Sequence, residues 1–185
     1  DRGDIRRAPW HKAVMHQLIL LRHAKAAPDL AGGADHDRPL TDTGRRAAEA
    51  VGRHMRQAGL VPDVVLVSSA RRTQQTLEAL QTAGLWDDWP NVDTLPALYM
   101  AGAAQLRELA RAIPETVRSA LIISHNPGLH ELAMGLAGPA GGAAQARLAN
   151  GYPTASLAEF LIPTAWERLG ANTSLQRFLQ PMDMG

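Results

Sequence analysis

Cysteine is absent from this chain of 185 residues, which excludes disulfides, thiolate nucleophiles and cysteine-held metals. Aromatic residues make up only 4%, too few to suggest a base-stacking platform, so Trp86, Trp89 and Trp166 are expected to pack. Neither sign of charge is in excess. The formal net charge is +1, so no nucleic-acid partner and no membrane partner is expected, and any basic feature must be a local pocket. No apolar run approaches the roughly 20 residues that cross a bilayer. The first fourteen residues, DRGDIRRAPWHKAV, are basic but lack the apolar stretch of a secretory signal. They are expected to be a peripheral extension (1–14) ahead of Met15, with 15–185 forming one domain. A cytoplasmic location fits the lack of cysteine. No GxxxxGK phosphate loop occurs, which disfavours an ordinary nucleotide triphosphatase.

What is present is an alternation of two periods. Leu18 to Leu21 is a short apolar run within a predicted strand, Gln17 to Arg22. A polar loop follows over 27–40. Thr41 is a candidate N-cap for a helix with Ala47, Ala48, Val51, Met55 and Ala58 on one face, and Gly59 is its stop. Val64 to Val67 predicts a second strand, and Ser69 a cap for a helix through Leu77 and Leu80 to about Gly84. Val92 to Leu95 is a weaker strand. Leu106, Leu109, Ala110 and Ile113 have helical spacing, Ala120 to Ile123 reads as a strand, and Leu129, Leu132, Ala133 and Leu136 as another helix. The Ala- and Gly-rich stretch 138–151 is expected to be a loop. Ala158, Phe160 and Ile162 alternate as a strand with one wetter face, and the tail around Leu175 to Leu179 suggests an edge strand. Strands alternating with helices predict an α/β sandwich around a mostly parallel sheet.

Three of these strands end in polar residues suited to one anion. The first ends in Arg22-His23, the second runs into SSARRTQQT with Ser68, Ser69, Arg71 and Arg72, and the third into Ser124-His125-Asn126. Parallel strands bring such ends to a common crevice, where helix N-termini add donors and partial positive charge. Two histidines and at least one further arginine are therefore expected to converge. Other signals are bland. Asp35-His36-Asp37 looks like an aspartyl-phosphatase DxD, but that nucleophile should end an apolar strand, and here Gly32-Gly33-Ala34 precedes it. His125 and His130 are not at the i, i+4 spacing of a helical zinc pair. Lys25 is a candidate for phosphate binding or protein docking, and equally a solvated loop lysine.

RHA at 22–24, RPLTDTG at 38–44, SSARRTQQT at 68–76 and SHNPG at 124–128 together resemble the histidine phosphatase superfamily. The RHAK form of the first motif, Leu98-Tyr99 and YPTAS at 152–156 are most similar to SixA-type phosphohistidine phosphatases. The resemblance spans roughly Gln17 to Ile162. It implies a three-layer α/β/α sandwich, phosphoglycerate mutase-like, with an antiparallel strand near the C-terminal end of the chain. It implies also that His23 is the nucleophile and is transiently phosphorylated, with Arg22 beside it. The second arginine of the family pattern falls three residues before Gln75-Thr76, which makes it Arg72 rather than Arg71. His125 matches the second pocket histidine, and Asn126 lines the substrate pocket. No metal and no cofactor is implied.

One departure bears on the substrate. Many relatives place a proton-donating glutamate after the third strand, and in LPALY that position falls on Ala97. An alkoxide leaving group needs such a proton, whereas an imidazole leaves more easily. The expected partner is therefore a protein bearing phosphohistidine, with a small phosphorylated substrate as the alternative and phosphate as product. Asp37 and Glu131 are spare carboxylates that could supply a proton. A phosphomonoesterase and a non-catalytic phosphate-binding module are the competing readings. A mutase is disfavoured, since it usually needs capping segments that this length hardly allows.

Overall fold

The computed structural model describes residues 15–29, 32–84, 86, 90–139 and 141–185, so the expectations for 1–14 and for Trp89 lie outside the described residues. Six strands form one sheet: β1 (His16–Arg22), β2 (Val64–Ser68), β3 (Asn91–Leu95), β4 (Ser119–Ser124), β5 (Leu157–Ile162) and β6 (Ser174–Leu179). Their order across the sheet is β3-β2-β4-β1-β5-β6. The first four in that order run parallel, and β5 runs antiparallel to both neighbours. The helices are α1 (Asp42–Gln57), α2 (Arg71–Gly84), α3 (Ala103–Arg111), α4 (Gly128–Ala137) and α5 (Ala143–Ala149).

Alternation along the strands divides the core in two. Ile19, Leu21, Val65, Val67, Leu121 and Ile123 pack with Ala48, Val51 and Met55 of α1 and Leu77 and Leu80 of α2. Leu18, Leu20, Val64, Leu66, Ala120 and Ile122 pack with Leu106 of α3, Leu132 of α4 and Leu148 of α5. Each large apolar side chain so buried contributes about 1.5–3 kcal/mol, which is what commits the central strands to their register. The result is a three-layer α/β/α sandwich with an antiparallel strand near the C-terminal end, the architecture that the resemblance implied. No helix among the described residues is long and apolar enough to cross a membrane.

Register sets the level of the site. Arg22 at the end of β1 lies opposite Ser124 at the end of β4, and Val67 of β2 lies opposite Ile123. Three parallel strands therefore stop at one height, and the residues that follow them leave the sheet together, at the crevice where open sheets keep their ligands. Helix α1 is tied to the same edge. The Thr41 hydroxyl accepts from the Gly44 amide at 2.9 Å, the N-cap expected from sequence. Gly44 itself packs so closely that a Cβ there would land on the Lys25 carbonyl oxygen, two residues past His23. At the other end Gly59 takes φ +70, the Leu60 amide donates to Met55 and the Gly59 amide to Arg56, a paired C-terminal stop.

Three expectations need correction. The stretch 138–151 is not all loop: residues 143–149 form α5, because an alanine-rich turn needs only Leu148, fully buried, to anchor it. The glycines before it mask the helix in the sequence. Ser69 does not cap α2, since its hydroxyl meets His36 Nε2 at 2.9 Å instead. Strand β5 has no wet face. It lies between β1 and β6, only Leu161 is partly exposed, and buried Glu159 accepts from Gln17 Nε2 at 2.7 Å and pairs with Arg177 at 2.5 Å.

Candidate active site

A cleft of about 290 Å³ opens where β1, β4 and β2 end. Arg22, His23, Arg72, His125 and Asn126, drawn from three separate strand ends, all line it, together with Lys25, Ala26, Asp35, Arg38, Met100 and Thr154. Arg71, its side chain turned to solvent on the first turn of α2, does not, whereas Arg72 is buried. Four cations thus face a single carboxylate among the described lining residues.

His23 is buried, and its Nδ1–H donates to the neighbouring Ala24 carbonyl at 2.7 Å. The Ala24 amide is held by Thr76 Oγ1 at 3.0 Å, so α2 braces the loop that orients the ring. With the proton committed to Nδ1, the lone pair sits on Nε2. Burial lowers the imidazole pKa most; the hydrogen bond to Ala24 opposes it, and Arg72, Arg22 and Arg38 add to the depression, bringing the ring down to about 4. His23 is therefore neutral near pH 7, as a nucleophile must be.

His125 stands beside it, with ring centroids 5.3 Å apart. Its Nε2 meets Ser68 Oγ at 2.7 Å, and its Nδ1 is buried with no protein partner among the described residues. Burial, then the charges of Arg72 and His23, push it down to about 3. Arg22 donates from Nη1 to the Tyr152 carbonyl at 3.0 Å, and Asn126 Nδ2 donates to that same oxygen at 2.9 Å. The Tyr152 phenol in turn donates to the Leu20 carbonyl at 2.6 Å, locking this segment to β1. The Nε atoms of Arg22 and Arg72 and Asn126 Oδ1 are also buried without a protein partner among the described residues. Two arginine donors left unpaired at one cleft are suited to an anion with several oxygens.

Arg72 is held from the other side. Its Nη1 donates to the Asp35 carbonyl at 2.9 Å and its Nη2 to Asp35 Oδ2 at 3.1 Å. Tyr99 OH donates to the same carboxylate oxygen at 2.5 Å, and Arg38 Nε to Oδ1 at 2.9 Å. These donors, Tyr99 foremost, hold the Asp35 carboxyl well below its usual range, at about 2. His36 closes the strap with its ring against Tyr99 at 4.9 Å.

Sequence reading missed this strap. Asp35 lies in a 3-10 turn (Asp35–Asp37) within a polar loop, where neither period nor strand end marks it. Tyr99 and Tyr152 were visible only as parts of motifs, and nothing local signals that the Tyr152 carbonyl orients two side chains. Asp37 and Glu131 are both solvent-exposed and do not line the cleft. Ala97 is exposed on the turn Pro96–Leu98, also off the cleft.

The family model for the histidine phosphatase superfamily (branch 1) matches residues 18–99. An uncharacterized chloroplastic protein of Arabidopsis thaliana is 32% identical over 133 residues, covering 68% of this chain, which spans 61% of that protein's length. The structure of a phosphohistidine phosphatase SixA, so named provisionally, from Nakamurella multipartitia has a TM-score of 0.79 and 29% identity, over 90% of this chain and 96% of the other. A similarly named SixA from Agrobacterium tumefaciens has a TM-score of 0.76 and 30% identity, over 90% and 98%. With four motifs in order, the cleft they build and these likenesses together, the chain belongs to the histidine phosphatase superfamily and is a phosphatase of its SixA-like kind.

Proposed function

We propose that this phosphatase works through a phosphohistidine enzyme intermediate on His23 and that its substrate is phosphohistidine on a signalling or phosphotransfer protein of the cytoplasm. The observation that carries the reading is the hydrogen bond from His23 Nδ1–H to Ala24, which leaves Nε2 as a neutral donor of electrons in a cleft of cations. Phosphoryl transfer asks mainly for in-line positioning and for neutralisation of the equatorial oxygens. Arg22, Arg72 and Asn126 are the binding groups, and His125 is a neutral ring beside the transferring group. At an effective dielectric near 20, each cation about 4 Å from a phosphoryl charge is worth roughly 4 kcal/mol before desolvation. That is enough to hold the group on side chains alone.

In the first step His23 Nε2 bonds to phosphorus as the bond to the leaving group breaks. Water then attacks the phosphohistidine, releasing phosphate and restoring the imidazole. The substrate class rests on which lining groups can protonate a leaving group. Ala97, Asp37 and Glu131 lie off the cleft, and Asp35, ionised down to about pH 2, has no proton to give. An imidazole leaving group needs least help of this kind. Acid-quench trapping with a labelled phosphohistidine protein should put label on wild-type protein and none on His23→Ala. No label with any substrate would favour a phosphate-binding module, and preferred turnover of alkyl phosphates would favour a phosphomonoesterase.

A further inference from the structure

Asp35 has no part in the chemistry above, yet it is the carboxylate placed in the cleft, and an anion there opposes binding of a phosphoryl dianion unless the rest of the ligand repays it. Its side chain is 51% exposed, so one flank remains open. A carboxylate offers about four lone-pair sites. Tyr99 OH, Arg72 Nη2 and Arg38 Nε occupy three of them. The carboxylate lines the same cleft as His23 and His125, and Tyr99, which donates to it, has its ring edge-on to His125 at 5.5 Å.

We propose that Asp35 is a specificity-determining residue whose free lone pair accepts a hydrogen bond from the distal N–H of an N-phosphorylated imidazole. This deepens the substrate reading above and rests on it. In a phosphorylated imidazole protonated on its distal nitrogen the ring carries positive charge, and the Asp35 carboxylate stabilises that form. When His23 Nε2 bonds to phosphorus, the P–N bond breaks with its electron pair passing to the leaving nitrogen. The product is a neutral imidazole that keeps its distal N–H. No proton has to come from the enzyme, which accounts for a site that works with alanine at position 97. Alkyl phosphates gain nothing from Asp35 and are repelled by it.

The test compares kcat/KM on a phosphohistidine peptide with kcat/KM on 4-nitrophenyl phosphate, whose leaving group departs as a stable anion. Asp35→Asn slackens Arg72 and should slow both substrates. The loss on phosphohistidine should exceed the loss on the aryl ester by about tenfold, the worth of a charge-assisted hydrogen bond. Asp35→Glu, which keeps the charge, should recover part of that ratio. Equal losses on the two substrates would overturn the proposal and leave Asp35 as a brace for Arg72 alone, and a greater loss on the aryl ester would also overturn it. Absence of label on His23 in the wild type would instead defeat the catalytic reading, so the two failures are distinct.

Discussion

His23, Arg72 and His125 are 7%, 2% and 1% exposed, whereas Asp35 and Arg38, lining the same cleft, leave 51% and 27% of their side chains in solvent. The first group is fixed by the sheet: strand register sets its height, the Ala24 carbonyl orients the His23 ring, and Ser68 Oγ meets the His125 ring from the end of β2. The second is held by ion pairs and a phenol on a short turn in a loop. Buried backbone bonds resist salt and small perturbations, while half-exposed ion pairs contribute about 0–1 kcal/mol and are screened. On the reading proposed above, the chemistry is built on the rigid wall and the selection of substrate on the adjustable one.

The sharpest way to break that contrast is to remove the proposed nucleophile. His23→Ala should abolish the trapped phosphoenzyme and lower kcat by roughly 10⁴-fold or more, with the thermal melt little changed. Arg72→Ala strikes both walls, because Arg72 joins them. It should cost about 10²–10³-fold in kcat/KM, and Arg72→Lys should not restore it, since a point charge cannot bridge the Asp35 contacts and a phosphoryl oxygen together. Gly44→Ala pushes a methyl into the Lys25 carbonyl and should lower stability by about 1–3 kcal/mol in a denaturant melt, displacing the His23 loop with it.

Acid should separate the walls more gently. His23 and His125 are lowered from 6.5 to about 4 and about 3 in the folded protein. The nucleophile stays neutral until its folded value is reached, so an acid limb of kcat/KM set by His23 should fall near pH 4 rather than 6.5. Over the same window the unfolded chain binds more protons than the folded one. Stability should therefore decline as pH falls from 6.5 toward about 3, and pH-dependent melts would show it. Arg38→Ala is the mildest change. It should raise KM several-fold at low salt and progressively less as salt is added.

Much of this architecture could be read without coordinates. Apolar runs of four residues marked β1, β2 and β4, alternation marked β5, weaker signals marked β3 and β6, and helical spacing marked every helix except α5, whose seven residues follow a run of glycine. The pairs at 22–23, 71–72 and 125–126 stood out because polar residues at the end of an apolar strand have few structural reasons to be there. The strap did not stand out, because the Asp35–Arg38 turn meets Tyr99 only once the chain has folded over a sequence separation of 64.

Local pattern by itself determined the layers, the strand ends and the polar residues at 22–23, 71–72 and 125–126, because burial and period are properties of neighbouring residues, and the family resemblance chose Arg72 over Arg71. Tertiary structure alone decided which nitrogen of His23 is free, which carbonyl aligns Arg22 with Asn126, and which carboxylate faces the cleft. Those are contacts between distant segments, mostly through backbone atoms that every residue carries, and no side-chain pattern encodes them.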